Sequence, residues 1–292
     1  MKVAVYGKQF QQDVAPFVYE LFLELEKAQM EVLVYEPFYN FLSKQIDLNL
    51  FLGTYNSYEE LKKNIDLFIS VGGDGTILDA TTLIKDSEIP IMGVNTGRLG
   101  FLADVAKDQI PKTIQQLINK KFSIDQRTLI KLETEKELFG KLNFALNEVT
   151  ISRKDTTSMI TITTYINDQY LNSYWADGLI IATPTGSTGY SLSCGGPIVM
   201  PGSENFVITP VAPHNLNVRP LVISDKYVIK VKVEGRAKQF LVALDSRIQT
   251  LDAGIELTIK KESFKINMVE TETQDFSSTL RNKLLWGLDK RN

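Results

Sequence analysis

A single carboxylate set among glycines is where this sequence first offers chemistry. The apolar run Leu67 to Val71 leads into Gly72-Gly73-Asp74-Gly75-Thr76, and a helical pattern follows from Ile77-Leu78-Asp79-Ala80. The run reads as a buried strand of a parallel sheet. Glycines between strand and helix let a ligand approach the main chain, and the free N–H groups of the helix start favour phosphate. Asp74 also has an ordinary reading, as a helix N-cap in a Gly-Asp-Gly turn. Thr76-x-x-Asp79 already reads as a capping box, so the sequence predicts an Asp74 carboxylate left free to face whatever the glycines admit. The spacing is neither Gly-x-Gly-x-x-Gly nor a Gly-Lys-Ser/Thr loop, so phosphate handling here needs another device.

Three further stretches place polar groups where a ligand could meet them. Asn95-Thr96-Gly97-Arg98-Leu99-Gly100-Phe101-Leu102-Ala103-Asp104 follows an apolar run at 90–94. In open α/β sheets ligands sit at the carboxyl ends of strands, where this loop and the Asp74 turn both fall. Its plainer reading is a glycine-rich turn with Phe101 and Leu102 buried as packing. Thr183 to Ser193 is made of hydroxyls and glycines with one aromatic, Tyr190, inside the longer stretch Asp177 to Ile198. Such a loop offers many N–H and O–H donors to an anion or a sugar, or is a polar surface loop with apolar flanks. Asn147-Glu148 is weaker, because polar pairs at strand ends are ordinary. His214 reads as a loop residue and Cys194 as a small packing residue.

The elements that must position these groups divide the chain by texture. Residues 2–6, 31–35, 66–71 and 91–94 read as strands, and Val14, Phe17, Val18, Leu21, Phe22, Leu25 and Ala28 form one apolar helix face. Short helices are expected at Phe41–Gln45 and Tyr58–Lys63, with longer ones from the Asp74 turn to Lys85 and over 109–120. Strands alternating with helices predict a parallel α/β domain over 1–122. From 123 to 270 the pattern is β-prone, at 126–133, 141–146, 157–166, 169–174, 179–182, 206–211, 226–234, 239–244, 255–260 and 264–269. Asn167-Asp168 reads as a hairpin turn, and the whole predicts an all-β, sandwich-like domain. Residues 271–292 hold a helix with Phe276, Leu280, Leu284 and Leu285 on one face, expected to return to the first domain.

Composition narrows the function. The 292 residues carry 43% hydrophobic content, enough for two ordinary cores. A net charge of -3 argues against non-specific nucleic-acid binding, and no apolar run approaches the ~20 residues of a membrane span. The chain opens directly on strand-like Lys2 to Tyr6, which does not read as a secretion signal. One cysteine and one histidine provide neither a disulfide framework nor a multi-histidine metal site, and fit the reducing cytoplasm.

Taken together, Gly72 to Thr76, Asn95 to Asp104, Asn147-Glu148, Asp177 to Ile198, and Pro213-His214 with Arg219-Pro220-Leu221 resemble the NAD kinase (ATP-NAD kinase) family. The blocks occur in order over roughly residues 67–221; the Thr183–Tyr190 block with Asp177 before it is the specific one, since lipid kinases and phosphofructokinases share the first. Two departures from the family pattern stand out. Gly189 replaces the usual Ala, and Asp245-Ser246-Arg247 replaces Asp-Gly-Gln, where an arginine could meet a phosphate.

The resemblance implies a Rossmann-like first domain, a β-sandwich-like NAD-binding domain, and transfer of the γ-phosphoryl of ATP to the 2′-hydroxyl of NAD's adenosine ribose. It implies Asp74 as general base. NAD would be lined by Gly75, Phe101, Asn147, Glu148, Asp177, Thr188, Gly189, Tyr190, Ser193 and Ala212, with Gly72, Gly73, Asn95 and Arg247 on ATP or its phosphates. Mg²⁺ or another divalent cation would arrive with ATP, held by phosphates and water rather than by a protein cage. A homodimer or homotetramer is implied as well. A diacylglycerol- or sphingosine-type lipid kinase, and an NAD(P)-binding regulatory protein without turnover, are the competing readings.

Overall fold

The computed structural model describes residues 1–46, 53–62, 64–97, 99–154, 159–236, 238–271 and 275–285. These form two compact units, one of residues 1–126 and 266–292, the other of residues 127–265.

In the first unit the chain runs β1 (Lys2–Gly7), α1 (Ala15–Lys27), β2 (Glu31–Tyr35), α2 (Glu36–Leu42), β3 (Gly53–Tyr55), α3 (Tyr58–Leu61), β4 (Leu67–Val71), α4 (Asp74–Ile84), β5 (Ile91–Val94) and α5 (Ile110–Ile118). The strands are parallel in the order β3-β2-β1-β4-β5. Every residue of β4 and β5 is buried, which is why both read as unbroken apolar runs. Val18, Leu21, Phe22 and Leu25 of α1 share one core with Ile114 and Leu117 of α5 and Val3, Val5 and Ile69 of the sheet. The short helix expected at Phe41–Gln45 lies earlier, as α2, because Pro37 occupies its first turn, where a missing N–H is harmless. Strand β3 was not legible, being three residues long at the sheet edge.

The second unit takes up β6 (Phe122–Glu133) past Gln126, then β7 (Phe144–Ala145), β8 (Glu148–Arg153), β9 (Ile160–Ile166), β10 (Gln169–Ala176), β11 (Gly178–Ala182), α6 (Tyr190–Ser193), β12 (Asn205–Val211), β13 (Leu221–Ser224), β14 (Ile229–Gly235), β15 (Gln239–Leu244), β16 (Arg247–Asp252) and the first part of β17 (Glu256–Thr271). One antiparallel sheet has the order β13-β12-β11-β8-β15-β16. The other pairs β10, β9, β14 and β17 antiparallel. Ile151, Ile181, Phe206 and Val242 of the first sheet and Ile162, Tyr174, Val231 and Leu257 of the second meet in one core, the sandwich expected from the sequence. Asn167 and Asp168 take φ of 48° and 66°, as a tight hairpin turn requires. The strand expected over 141–146 shrinks to β7, because Gly140–Leu142 forms a 3₁₀ turn. The two runs at 255–260 and 264–269 are one strand, β17. The expected strand start at 157–158 lies outside the described residues.

The closing helix α7 (Phe276–Leu284) belongs to the first unit. Asp275 caps it by accepting the Ser278 N–H at 2.7 Å. Leu280 is buried, whereas Leu285 takes a left-handed φ of 57°, ends the helix and is exposed.

Candidate active site

In the first unit the glycine turn sits at the carboxyl end of β4, held by the Gly72 N–H on the Val94 carbonyl at 2.9 Å. The helix begins at Asp74, not at Thr76, with Gly73 in extended conformation as its N-cap. The expected capping box does not form. Asp79 is instead ion-paired with Lys8, and Thr76 is buried against Gly72. The Asp74 carboxylate is not free either. Its Oδ1 accepts the N–H groups of Leu102 (3.0 Å) and Ala103 (2.9 Å), and its Oδ2 that of Phe101 (2.8 Å). Two carboxylate oxygens offer about four lone-pair sites, so one on Oδ2 is left to accept a proton or a further hydrogen bond. A Cβ on Gly100 would lie 1.8 Å from Asp74 Oδ1, so only glycine lets the loop close over the carboxylate. Where a Cβ would project from Gly73 or Gly75, it would meet no atom of the described residues within 4 Å beyond the adjoining main chain, which leaves the backbone there accessible to a ligand.

The second unit repeats this device with other residues. At the turn between β15 and β16, Asp245 accepts the N–H groups of Leu146 (2.9 Å), Asn147 (2.8 Å) and Glu148 (3.1 Å). The 183–189 loop is folded into the unit rather than lying on its surface, with Thr183, Thr185 and Ser187 buried. The Thr183 hydroxyl donates to the Leu146 carbonyl at 2.6 Å, and the Thr183 N–H to the Asn147 carbonyl at 2.8 Å. Asn147 and Glu148 therefore lie against this loop. Asn147 Oδ1 and Glu148 Oε2 are shielded from solvent with no hydrogen-bond partner among the described residues. Burial, reinforced by the Asp245 charge, pushes the Glu148 carboxyl up to about 8. Burial also pushes the Asp245 carboxyl up, against the opposing pull of three N–H donors on its two oxygens and of the Arg247 charge.

Tyr190 begins α6 and is exposed, beside the half-buried Cys194; burial, with Cys194 and Asp177 adding, raises its hydroxyl above the usual range. A Cβ on Gly186 would lie 2.1 Å from the Asn147 carbonyl oxygen and 2.5 Å from its carbon. Main chain cannot swing aside as a side chain can. Gly186→Ala is expected to destabilise this unit by about 2–3 kcal/mol, measured by urea unfolding, and to weaken nucleotide binding.

Two polar clusters, one in each unit and each built on a carboxylate that gathers three successive N–H groups, accompany a strong likeness to known proteins. Residues 11–122 match the family model of the ATP-NAD kinase N-terminal domain, and residues 146–271 that of the ATP-NAD kinase C-terminal domain. The chain belongs to the ATP-NAD kinase family. It is 53% identical to the NAD kinase of Flavobacterium psychrophilum over the whole of both chains, and 43% identical to that of Bacteroides fragilis, again over both whole chains. The fold is similar to yeast NADH kinase solved with NADH (TM-score 0.86, 25% identity, 98% of this chain and 88% of that one). It is also similar to an Archaeoglobus fulgidus NAD kinase solved with ATP (TM-score 0.73, 27% identity, 97% of each chain). The activity is that of an ATP-dependent NAD kinase, and the lipid-kinase reading falls.

Of the residues the NAD kinase pattern singled out, Asn147, Glu148, Gly189 and the 183–188 turn meet in one place. A Cβ on Gly189 would come 3.1 Å from Glu148 Oε2 and 3.4 Å from Asn147 Nδ2, so the family's usual Ala would press on both. Thr188 is half-buried with its hydroxyl on the Thr185 carbonyl, and Ser193 is exposed on α6. Asp177 pairs with Arg153 at 3.0 Å, and Ala212 is exposed at a left-handed φ of 44° just after β12. His214 contacts the ring of Trp175 at 4.9 Å.

Three of the expected site residues have partners within their own unit. Asn95, expected on phosphate, is 3% exposed, and its amide binds its own loop through Ala103 O and Gly97 N. Arg247, expected on phosphate, donates instead to the carbonyls of Leu142 and Phe144. Phe101, expected on a base, turns its ring to Phe276 (6.3 Å) and Lys283 of α7. Arg98 lies outside the described residues. The anchoring roles of Gly100 and Asp245 were missed; the signals for the second were its place in the family's Asp-Gly-Gln and a turn-like Asp-Ser at the end of an apolar strand.

Proposed function

We propose that Asp74 is the general base for phosphorylation of the 2′-hydroxyl of NAD's adenosine ribose, with Asn147 and Glu148 as the main polar contacts to NAD. The observation that supports this is the anchored Asp74 carboxylate, which has one lone pair uncommitted beside an open glycine turn. The 2′-oxygen forms a bond to the γ-phosphorus, the bond from γ-phosphorus to the bridging oxygen breaks, ADP leaves, and the hydroxyl proton passes to Asp74. A loose phosphoryl-transfer transition state asks more for alignment and charge neutralisation than for a strong base, so a fixed carboxylate suits it.

Gly72 and Gly73, with the N–H groups starting α4, receive phosphate oxygens. Gly75, Asp177, Thr188, Gly189, Tyr190, Ser193 and Ala212 complete the NAD lining. Mg²⁺ belongs to the ATP substrate and is carried by phosphates and water. The enzyme works in the cytoplasm as a homodimer or homotetramer. Incubation with NAD, ATP and Mg²⁺ is expected to yield a product with phosphate on the 2′ position by ³¹P NMR; phosphate at another position would refute the assigned acceptor.

Glu148 gives the ligand-free enzyme a pH signature. Its folded carboxyl titrates near 8, against an ordinary value of 4.5. Between those values the folded protein keeps a proton that the unfolded chain has lost, so acid favours folding and stability falls as pH rises through this window. Above it the contribution is constant. Glu148→Gln, neutral throughout, is expected to flatten the melting temperature against pH and to melt higher than wild type at about pH 8. Parallel profiles for the two proteins would contradict the assignment of the proton to Glu148.

A further inference from the structure

We infer that the turn Asp245-Ser246-Arg247 is the positioning element of the Asn147–Glu148 site, setting the main chain over 142–148 and thereby the direction of Asn147 and Glu148. This rests on the reading that those two residues contact NAD.

Between β7 and β8 the chain bends at Leu146 and Asn147, interrupting regular strand structure. Asp245 is held at a left-handed φ of 52°, which projects its carboxylate across from the β15–β16 turn onto the N–H groups of Leu146, Asn147 and Glu148. Its own N–H donates back to the Glu148 carbonyl at 3.1 Å. Arg247 grips the other end of the same segment. Its guanidinium donates to the Leu142 and Phe144 carbonyls and lies 5.7 Å from the centre of the Phe144 ring, which packs edge-on against Phe264 at 5.1 Å. One turn thus holds carbonyls at one end of a seven-residue segment and N–H groups at the other. A planar guanidinium suits paired carbonyls and a carboxylate suits converging N–H groups, so each side chain matches the end it holds. Asn147 Oδ1 and Glu148 Oε2 then stand without hydrogen-bond partners among the described residues, on a main chain tied at both ends. Arg247, where the family pattern has glutamine, is in this chain a brace rather than a phosphate ligand.

Arg247→Met keeps the apolar stem on Phe144 and removes every donor; Asp245→Asn keeps the shape and removes the charge. Steady-state kinetics are expected to show KM for NAD raised about tenfold or more in both, with KM for ATP changed less than twofold. Calorimetric NAD binding should weaken by the same factor.

The pH dependence of NAD binding supplies a readout that mere loss of stability would not move. Glu148 is faced by Asp245 from the β15–β16 turn and by Cys194 from the end of α6, with Tyr190 and Asp177 beyond. Removing the Asp245 charge should shift the basic limb of that profile to lower pH, whereas Arg247→Met should leave it in place. If Asp245→Asn does not fold, Arg247→Met alone decides by its KM split. Asn147→Ala and Glu148→Gln serve as reference variants. Weakened NAD binding in these with none in Asp245→Asn or Arg247→Met overturns the positioning role alone; unchanged NAD binding in all four overturns the NAD reading itself. Equal losses toward NAD and ATP would mean a structural role only.

Discussion

Gly100→Ala is expected to cost at least ~10²-fold in kcat/KM although residue 100 carries no reactive group. Its Cβ would stand 1.8 Å from Asp74 Oδ1 and 2.6 Å from the carboxyl carbon, so either the loop or the carboxylate must move. The Asp74 side chain is tied to Phe101, Leu102 and Ala103 by three charge-assisted hydrogen bonds, and any shift that clears the methyl stretches them together. A displacement of about 1 Å at a reacting group is enough for a loss of that size. The core of the first unit lies elsewhere, around Val3, Ile69 and Leu21, so far-UV circular dichroism should be unchanged and the melting temperature only modestly lower. Full activity in Gly100→Ala would show that the Asp74 carboxylate need not be held where it stands.

The strand, turn and helix around Asp74 were legible because each has a local signature: an apolar run, glycines, then helical spacing. What the carboxylate does was not. Its three donors lie 27 to 29 residues away and are main-chain N–H groups, which carry no residue-type signal. Asp245 hides its role for the same reason, with donors 97 to 99 residues distant. Strand β16 carries no sequence signature, because it is an edge strand with a single buried residue, Leu251, and no apolar alternation marks it. Strand β8 does alternate, with Val149 and Ile151 buried, but its six residues open on a polar Asn147-Glu148 pair that also suits a strand end. Arg247 is ambiguous by its chemistry. A guanidinium that suits phosphate suits a pair of carbonyls equally, and only packing decides between them.

Asp74→Asn is the second large effect, and the structure changes how it must be read. The amide oxygen can still accept from Leu102 and Ala103, but an NH₂ group in place of Oδ2 meets the Phe101 N–H donor to donor. The variant therefore loses a base and loosens one of three loop anchors. Comparison with Gly100→Ala separates the two effects: that variant disturbs the loop while keeping the carboxylate, so any activity lost beyond it belongs to the base. A positioned base contributes ~10²–10⁴-fold. The measurement that bears most directly on the mechanism is the rate of NADP formation from NAD, ATP and Mg²⁺ by Asp74→Asn beside wild type, with NAD affinity measured on the same preparations. A fall of at least ~10²-fold in kcat with NAD affinity within about twofold is the predicted result. Wild-type turnover in Asp74→Asn would contradict Asp74 as the acceptor of the hydroxyl proton.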